Sequence, residues 1–211
     1  METGPETRTS IIDSAERLIA AQGFSATTIK QIAEAARVNT SLLYYYFGDK
    51  EGLYRAVVER LLEQLIAMGT TALSSEDDPV AAVRAIIAGQ AKLLSSTPSW
   101  IRILARELLD AEHSRVGEPA RRVASTVFAQ LCATIRRGQA QGLFRRDLDP
   151  RFAAISLVGQ QAYFYLAHPA VKVLLESEGA SLDDETRSAF AQHVAEFCLA
   201  ALRPAQTGAA A

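Results

Sequence analysis

The apolar residues of this 211-residue chain recur at helical spacing. Ile11, Ala15, Leu18 and Ile19 share one face, and that pattern stops at Gln22-Gly23. Val123, Val127, Leu131 and Ile135 form a second stripe that ends at Gly138 or Gly142. Phe190, Val194, Phe197 and Ala201 form a third. Steps of three and four residues return to the same side of a 3.6-residue turn, so each stripe predicts a helix with one buried face. No segment alternates apolar and polar residues between hairpin turns, so no sheet is expected.

The prolines punctuate this pattern. Asp78-Pro79, Thr97-Pro98 and Asp149-Pro150 each put a capping side chain before a proline. A proline in the first helical turn loses nothing, because its missing N–H would have had no partner there. Glu118-Pro119 and His168-Pro169 repeat the pattern with poorer caps, and Pro5 and Pro204 fall in tails expected to lack structure. The predicted helices are Thr7–Gln22, Thr28–Ala36, Asn39–Phe47, Asp49–Leu73, Asp78–Ser95, Thr97–Glu112, Glu118–Gln141, Asp149–Leu166 with a short extension to Glu176, and Asp183–Leu202. The expected fold class is all-α.

The short helices near the front carry the most information. Thr28-Ile29-Lys30-Gln31 reads as a capping box, in which the threonine hydroxyl and the glutamine amide each satisfy the other's backbone. The chain then turns at Arg37-Val38, and Asn39 can cap the next helix. Two helices joined by so short a turn make a helix-turn-helix, whose second helix can enter a DNA major groove. That second helix reads Thr40-Ser41-Leu42-Leu43-Tyr44-Tyr45-Tyr46-Phe47. Leu43 and Phe47, four apart, are expected inside, which leaves Thr40, Ser41 and Tyr45 pointing out. Hydroxyls at a helix N-terminus suit base edges and phosphate oxygens. Three consecutive tyrosines, about 100° apart around the axis, cannot all be core.

The run Gly23-Phe24, Thr27-Thr28-Ile29, Ile32-Ala33-Glu34-Ala35-Ala36, Val38-Asn39, Leu43-Tyr44-Tyr45-Tyr46-Phe47 and Lys50-Glu51-Gly52-Leu53 resembles the DNA-binding domain of the tetracycline-repressor (TetR) family. The resemblance covers Thr7 to Leu53. It implies an N-terminal three-helix DNA-binding domain, 1–53, and a larger helical ligand-binding and dimerisation domain, 54–211. Thr28 and Lys30 match positions that contact phosphate or a base edge. Thr40, Ser41 and Tyr45 match base-facing positions, and Leu42, Tyr44, Tyr46 and Lys50 match positions along the phosphate backbone. Two departures stand out. Arg37 occupies a turn position where the family commonly has glycine, and Leu42 replaces an often small or polar residue.

Beyond Leu53 the resemblance fades. Asp149–Leu166 is apolar nearly all round and is therefore expected to be buried on every face. With Asp183–Leu202 it would form a four-helix bundle with a second copy, giving a homodimer through the last two long helices. An effector pocket is expected near Trp100, Leu104, Phe128, Cys132, Gln160, Tyr163 and Phe164, where polar groups interrupt apolar helices. Gln161 stands beside Gln160 in the same stretch.

Charge and chemistry narrow the remaining possibilities. Net charge is −2, which by itself does not suggest a nucleic-acid partner. Up to Arg55 there are six basic residues (Arg8, Arg17, Lys30, Arg37, Lys50, Arg55) against seven acidic ones (Glu2, Glu6, Asp13, Glu16, Glu34, Asp49, Glu51). Local placement must therefore do what the total does not, and non-specific DNA binding is expected to be weak and salt-sensitive. Cys132 and Cys198 form no CxxC pair and read as buried thiols in a reducing, cytoplasmic setting. His113 with Glu107, Asp110 and Glu112 lacks zinc-ligand spacing, so no metal and no cofactor are expected. There is no phosphate-cradling glycine loop, GxSxG or HExxH, and no membrane span or signal segment is read. The sequence thus predicts a ligand-responsive repressor, not an enzyme, released from an inverted-repeat operator in double-stranded DNA by a small, largely apolar effector. A helical adaptor or an enzyme with an unrecognised site is the alternative.

Overall fold

A computed structural model describes residues 4–74, 77–109 and 121–204. Every regular element among them is helical. We number them α1 (Pro5–Gln22), α2 (Ile29–Ala36), α3 (Thr40–Phe47), α4 (Lys50–Ser74), α5 (Pro79–Ser96), α6 (Pro98–Leu109), α7 (Ala129–Ala140), α8 (Pro150–Leu166), α9 (His168–Ser177) and α10 (Asp184–Leu202). A π-helical turn, Ala124–Phe128, leads into α7.

The expected starts are realised as caps. Asp149 accepts from the Arg151 N–H ahead of Pro150, and Asp183 accepts from the Thr186 N–H ahead of α10. Three details differ from the sequence reading. Pro5 lies in the first turn of α1, not in a tail, because its fixed φ suits that position. The extension after Leu166 is a separate helix, broken at Ala167 with Pro169 in its first turn. The long helix expected over Glu118–Gln141 carries the π-helical turn instead of running as regular α-helix. The group His113, Asp110 and Glu112, with the Glu107 side chain, lies outside the described residues.

The chain forms two compact units. The first comprises Met1–Gln64 and Thr97–Pro119, the second Leu65–Ser96 and Ala120–Ala211. The division falls inside α4, and α6 belongs to the first unit although four helices separate it from α1 in sequence order.

In the first unit Ile11, Ile32, Leu43, Leu53, Tyr54 and Val57 form a closed core. Ile103 of α6 joins it, and Trp100 packs at its edge while its indole N–H donates to the Leu61 carbonyl at 3.2 Å. Polar links add to the packing of α6. Ser99 and Arg60 both bond the carboxylate of Glu16, Arg60 also pairs with Asp13, and Arg106 donates to the Ala21 carbonyl at 3.1 Å. Burial alone would lower the Arg60 pKa, but its bonds to Glu16 and Asp13 outweigh this and raise it.

In the second unit Val83, Ile86 and Ile87 of α5 meet Leu131 and Ile135 of α7, Leu157 of α8, and Val194 and Leu199 of α10. Phe144 closes this core from the loop after α7. Its ring lies 2.2 Å from the point where a side chain on Gly138 would begin, so only glycine lets the loop fold back so closely.

Candidate nucleic-acid interface

The start of α2 is fixed by a hydrogen-bonded chain. Thr28 Oγ1 accepts from the Gln31 N–H at 3.2 Å, and the Thr28 N–H donates to Gln31 Oε1 at 2.8 Å, which completes the expected capping box. Gln22 reaches the same glutamine oxygen from the end of α1, and Thr27, fully buried, donates to the Gly23 carbonyl at 2.7 Å. Thr27 and Gln22 escape sequence reasoning because their role depends on where α1 ends. The adjacent Thr27-Thr28 pair was the only available hint.

The turn between α2 and α3 is a Schellman closure. The Val38 N–H donates to the Ala33 carbonyl at 3.0 Å and the Arg37 N–H to the Glu34 carbonyl at 3.2 Å. This pattern requires a left-handed residue, and Arg37 supplies it at φ 57° and ψ 42°. The ends of α7 and α9 close by the same bonds, with Gly142 and Gly179 in that position.

Asn39 caps α3, accepting from the Ser41 N–H at 2.9 Å. Leu43 is 1% exposed and anchors the helix. Thr40, Ser41, Tyr44 and Tyr45 form the opposite, exposed face, with Tyr44 at 54% and Tyr45 at 76%. These four residues occupy two successive turns of one side, which a groove-reading helix requires. Leu42 and Tyr46 are half-buried against the first unit's core, and Phe47, expected as a second anchor, is also only half-buried. The Tyr46 ring lies edge-on to Tyr45 at 5.2 Å, so it supports Tyr45 from the side.

The cations differ in their freedom. Lys30 is exposed and 4.0 Å from Glu34, one turn along α2. Lys50 is half-buried, with its ammonium 4.4 Å from the centre of the Phe24 ring and 3.4 Å from the Ser25 carbonyl. It therefore ties the start of α4 to the segment before α2.

The expected effector residues divide between the units. Trp100 and half-buried Leu104 lie on α6 in the first, where the Trp100 N–H is already used. In the second, Cys132 is buried with its Sγ 3.8 Å from the Pro150 carbonyl, and Phe128 packs against the core. Phe164 is buried and stacks on Phe190 at 4.0 Å. Tyr163 instead points outward, 61% exposed. Gln160 lies beside Cys198 on the wall of a surface groove, its amide 3.2 Å from the Cys198 sulfur. The buried mid-helix amide is Gln161, which is 0% exposed and donates to the Ile87 carbonyl at 3.3 Å. Gln90, which the sequence reading did not single out, makes the converse bond to the Val158 carbonyl at 3.1 Å.

Nor is α8 buried on every side. Phe152, Ile155, Tyr163 and Leu166 are exposed, and they form one stripe with Gly159. Phe197 of α10 is exposed as well. An apolar pattern all round a helix does not distinguish residues covered by the same chain from residues left for another molecule. Among the described residues, no helix is long and apolar enough to cross a membrane.

Known proteins agree with this architecture. The pattern of "Bacterial regulatory proteins, tetR family" matches residues 11–57, and that of "Tetracyclin repressor-like, C-terminal domain" matches residues 79–197. The HTH-type transcriptional repressor NicS of Pseudomonas putida is 31% identical over 160 residues, which cover 75% of each chain. Among solved structures, the fatty acid degradation regulator FadR from Bacillus halodurans shares the fold at a TM-score of 0.75 and 20% identity, covering 96% of this chain and 99% of that one. FadR from Bacillus subtilis, in complex with stearoyl-CoA, superposes at a TM-score of 0.71 and 18% identity, covering 92% and 99%. The helix-turn-helix, the all-helical second unit and these matches together place the chain in the tetR family of bacterial regulatory proteins.

Proposed function

We propose that the chain is a ligand-responsive transcriptional repressor that binds an inverted-repeat operator as a homodimer. The observation that carries this reading is the exposed Thr40, Ser41, Tyr44 and Tyr45 face of α3, capped by Asn39 and held from behind by Leu43. In this reading Thr40, Ser41 and Tyr45 meet base edges. Thr28, Lys30 and Tyr44 meet the phosphate backbone, and Leu42, Tyr46 and Lys50 set its margin. The matched relative is named a repressor, which supports the direction of regulation.

The exposed stripe of α8 with Phe197 of α10 is the surface proposed to meet a second copy. A self-complementary twofold contact would cover Phe152, Ile155 and Tyr163 at once and bring Gln160 to the interface. The effector is proposed to be small and largely apolar, and to bind the second unit beside Phe128, Cys132 and Phe164. The Bacillus subtilis protein of the same fold is solved in complex with stearoyl-CoA, which supports the reading that this chain, too, responds to a ligand. Such an effector acts only by binding the released state more tightly than the DNA-bound one.

Selection from random duplex DNA tests the reading. Enrichment of an inverted repeat, with half-site centres about 10 base pairs or a multiple of that apart, is expected. Recovery of unenriched sequence, or of isolated half-sites without a repeat, would overturn it.

A further inference from the structure

The second unit carries a pocket of about 670 Å³ between α5, the end of α8 and the first half of α10. No residue marked in the sequence as an effector contact lines it. The volume falls within the range of roughly 300–1,000 Å³ typical of small-ligand sites, and the pocket is open to solvent along the side of Arg84, Ala88, Lys92 and Ser95. Its floor is aliphatic: Ile87, Ala88 and Ala91 from α5 face Ala195 from α10.

The wall is basic although the chain as a whole is acidic. Arg84, Lys92 and Arg187 line it, against the single carboxylate of Asp184. Two of these cations are already engaged. Arg84 pairs with Glu196 at 2.5 Å and Arg187 with Asp184 at 2.8 Å. Lys92, exposed, has no ion-pair partner among the described residues. Beside it, the Ser95 hydroxyl donates to the Lys92 carbonyl at 3.0 Å and the buried Tyr165 hydroxyl to the Ala91 carbonyl at 3.4 Å, so Lys92 is the donor left for a ligand at this end. Burial pushes the Tyr165 hydroxyl pKa up, against the opposing charge of Arg187 and a hydrogen bond with Ser95.

An aliphatic floor that ends at an ammonium with no ion-pair partner among the described residues has the polarity of an amphipathic anion. The charge of that anion follows from the pairing. A single ammonium without such a partner balances one negative charge. A phosphomonoester, with a charge near −2 at neutral pH, would have to break an arginine pair as well. We infer that this pocket binds a small amphipathic monocarboxylate, with its head at Lys92 and its apolar body across the alanine floor. The site goes beyond the operator reading and does not depend on it, because binding is measured on the free protein without DNA.

Calorimetric titration of the full chain with octanoate, octylammonium and 1-octanol, all below their self-association concentrations, tests the site. Octanoate is expected to bind at least tenfold tighter than octylammonium. Lys92→Gln should lower octanoate affinity about tenfold and leave 1-octanol binding unchanged. Ala88→Phe, which fills an exposed part of the floor, should weaken octanoate and 1-octanol alike. Absence of octanoate binding at millimolar concentration, equal affinity for both signs of charge, or full octanoate affinity in Lys92→Gln would each overturn the site. Operator affinity, measured separately, is expected to be the same for Lys92→Gln as for the parent chain.

Discussion

Replacing Arg37 with glycine is expected to stabilise the first unit. Arg37 is the one non-glycine residue with positive φ among the described residues. The left-handed conformation costs an L-residue about 1–2 kcal/mol, because its Cβ crowds the following carbonyl. Glycine removes that strain but loses about 0.5–1 kcal/mol through its greater freedom in the unfolded chain. Arg37 is exposed and its side chain has no partner among the described residues, so little packing is lost. The balance is a gain of about 0.5–1 kcal/mol. With a urea slope of about 2 kcal/mol/M, the midpoint should rise by about 0.3–0.5 M. The assay is urea denaturation followed by the fluorescence of Trp100, the single tryptophan, which packs in this unit. Arg37→Ala keeps the Cβ and serves as the control, with a midpoint close to that of the parent chain. A glycine variant no more stable than the alanine variant would refute the strain reasoning, because the two differ only in the group that causes the crowding.

Three other substitutions probe separate links in the structure. Lys50→Ala should reduce the slope of log affinity against log salt by about one counterion if the ammonium meets a phosphate, and an unchanged slope would confine Lys50 to its contacts with Phe24 and Ser25. Gly138→Ala should destabilise the second unit by about 1–3 kcal/mol in thermal unfolding, because the new methyl meets the buried Phe144 ring, and unchanged stability would mean the loop shifts without cost. The Asp183 carboxylate is held at a pKa of about 2, first by Ser181 and then by Thr186, against 3.8 ordinarily. Its cap therefore stabilises the protein fully above the unfolded value and is lost as pH falls from about 4 toward 2. Asp183→Asn should flatten that part of the pH–stability curve, and an identical curve would remove Asp183 as its source.

Much of the fold is legible because helix ends carry local chemistry. Thr28 with Gln31, Asn39, Asp149 with Pro150, and Asp183 each mark a start that the structure realises. The recognition face is legible for the same local reason: Leu43 goes in, so residues one and two steps round the helix go out. What a helix packs against is another matter. Nothing in Pro98–Leu109 announces that it folds back onto α1, since Ser99, Trp100 and Arg106 find Glu16, Leu61 and Ala21 only through tertiary structure. Gln160 and Gln161 are neighbours in sequence but about 100° apart round α8, and apolar residues on all sides hide which of the two is inside. The stripe from Phe152 to Leu166 looks like core in the sequence because the residues α8 leaves exposed have the same apolar composition as those it buries.

The base-reading role of α3 is tested most directly by comparing the parent chain with Thr40→Ala and Ser41→Ala on a panel of operators. Each operator carries one altered base pair per half-site, and all affinities are measured at a single salt concentration. The predicted result is a changed order of preference among operators, with a discrimination change of about 1–3 kcal/mol at the base pair that the missing hydroxyl contacts. A uniform loss on every operator, with the order of preference intact, would contradict base reading by Thr40 and Ser41 and reduce α3 to a phosphate-binding helix.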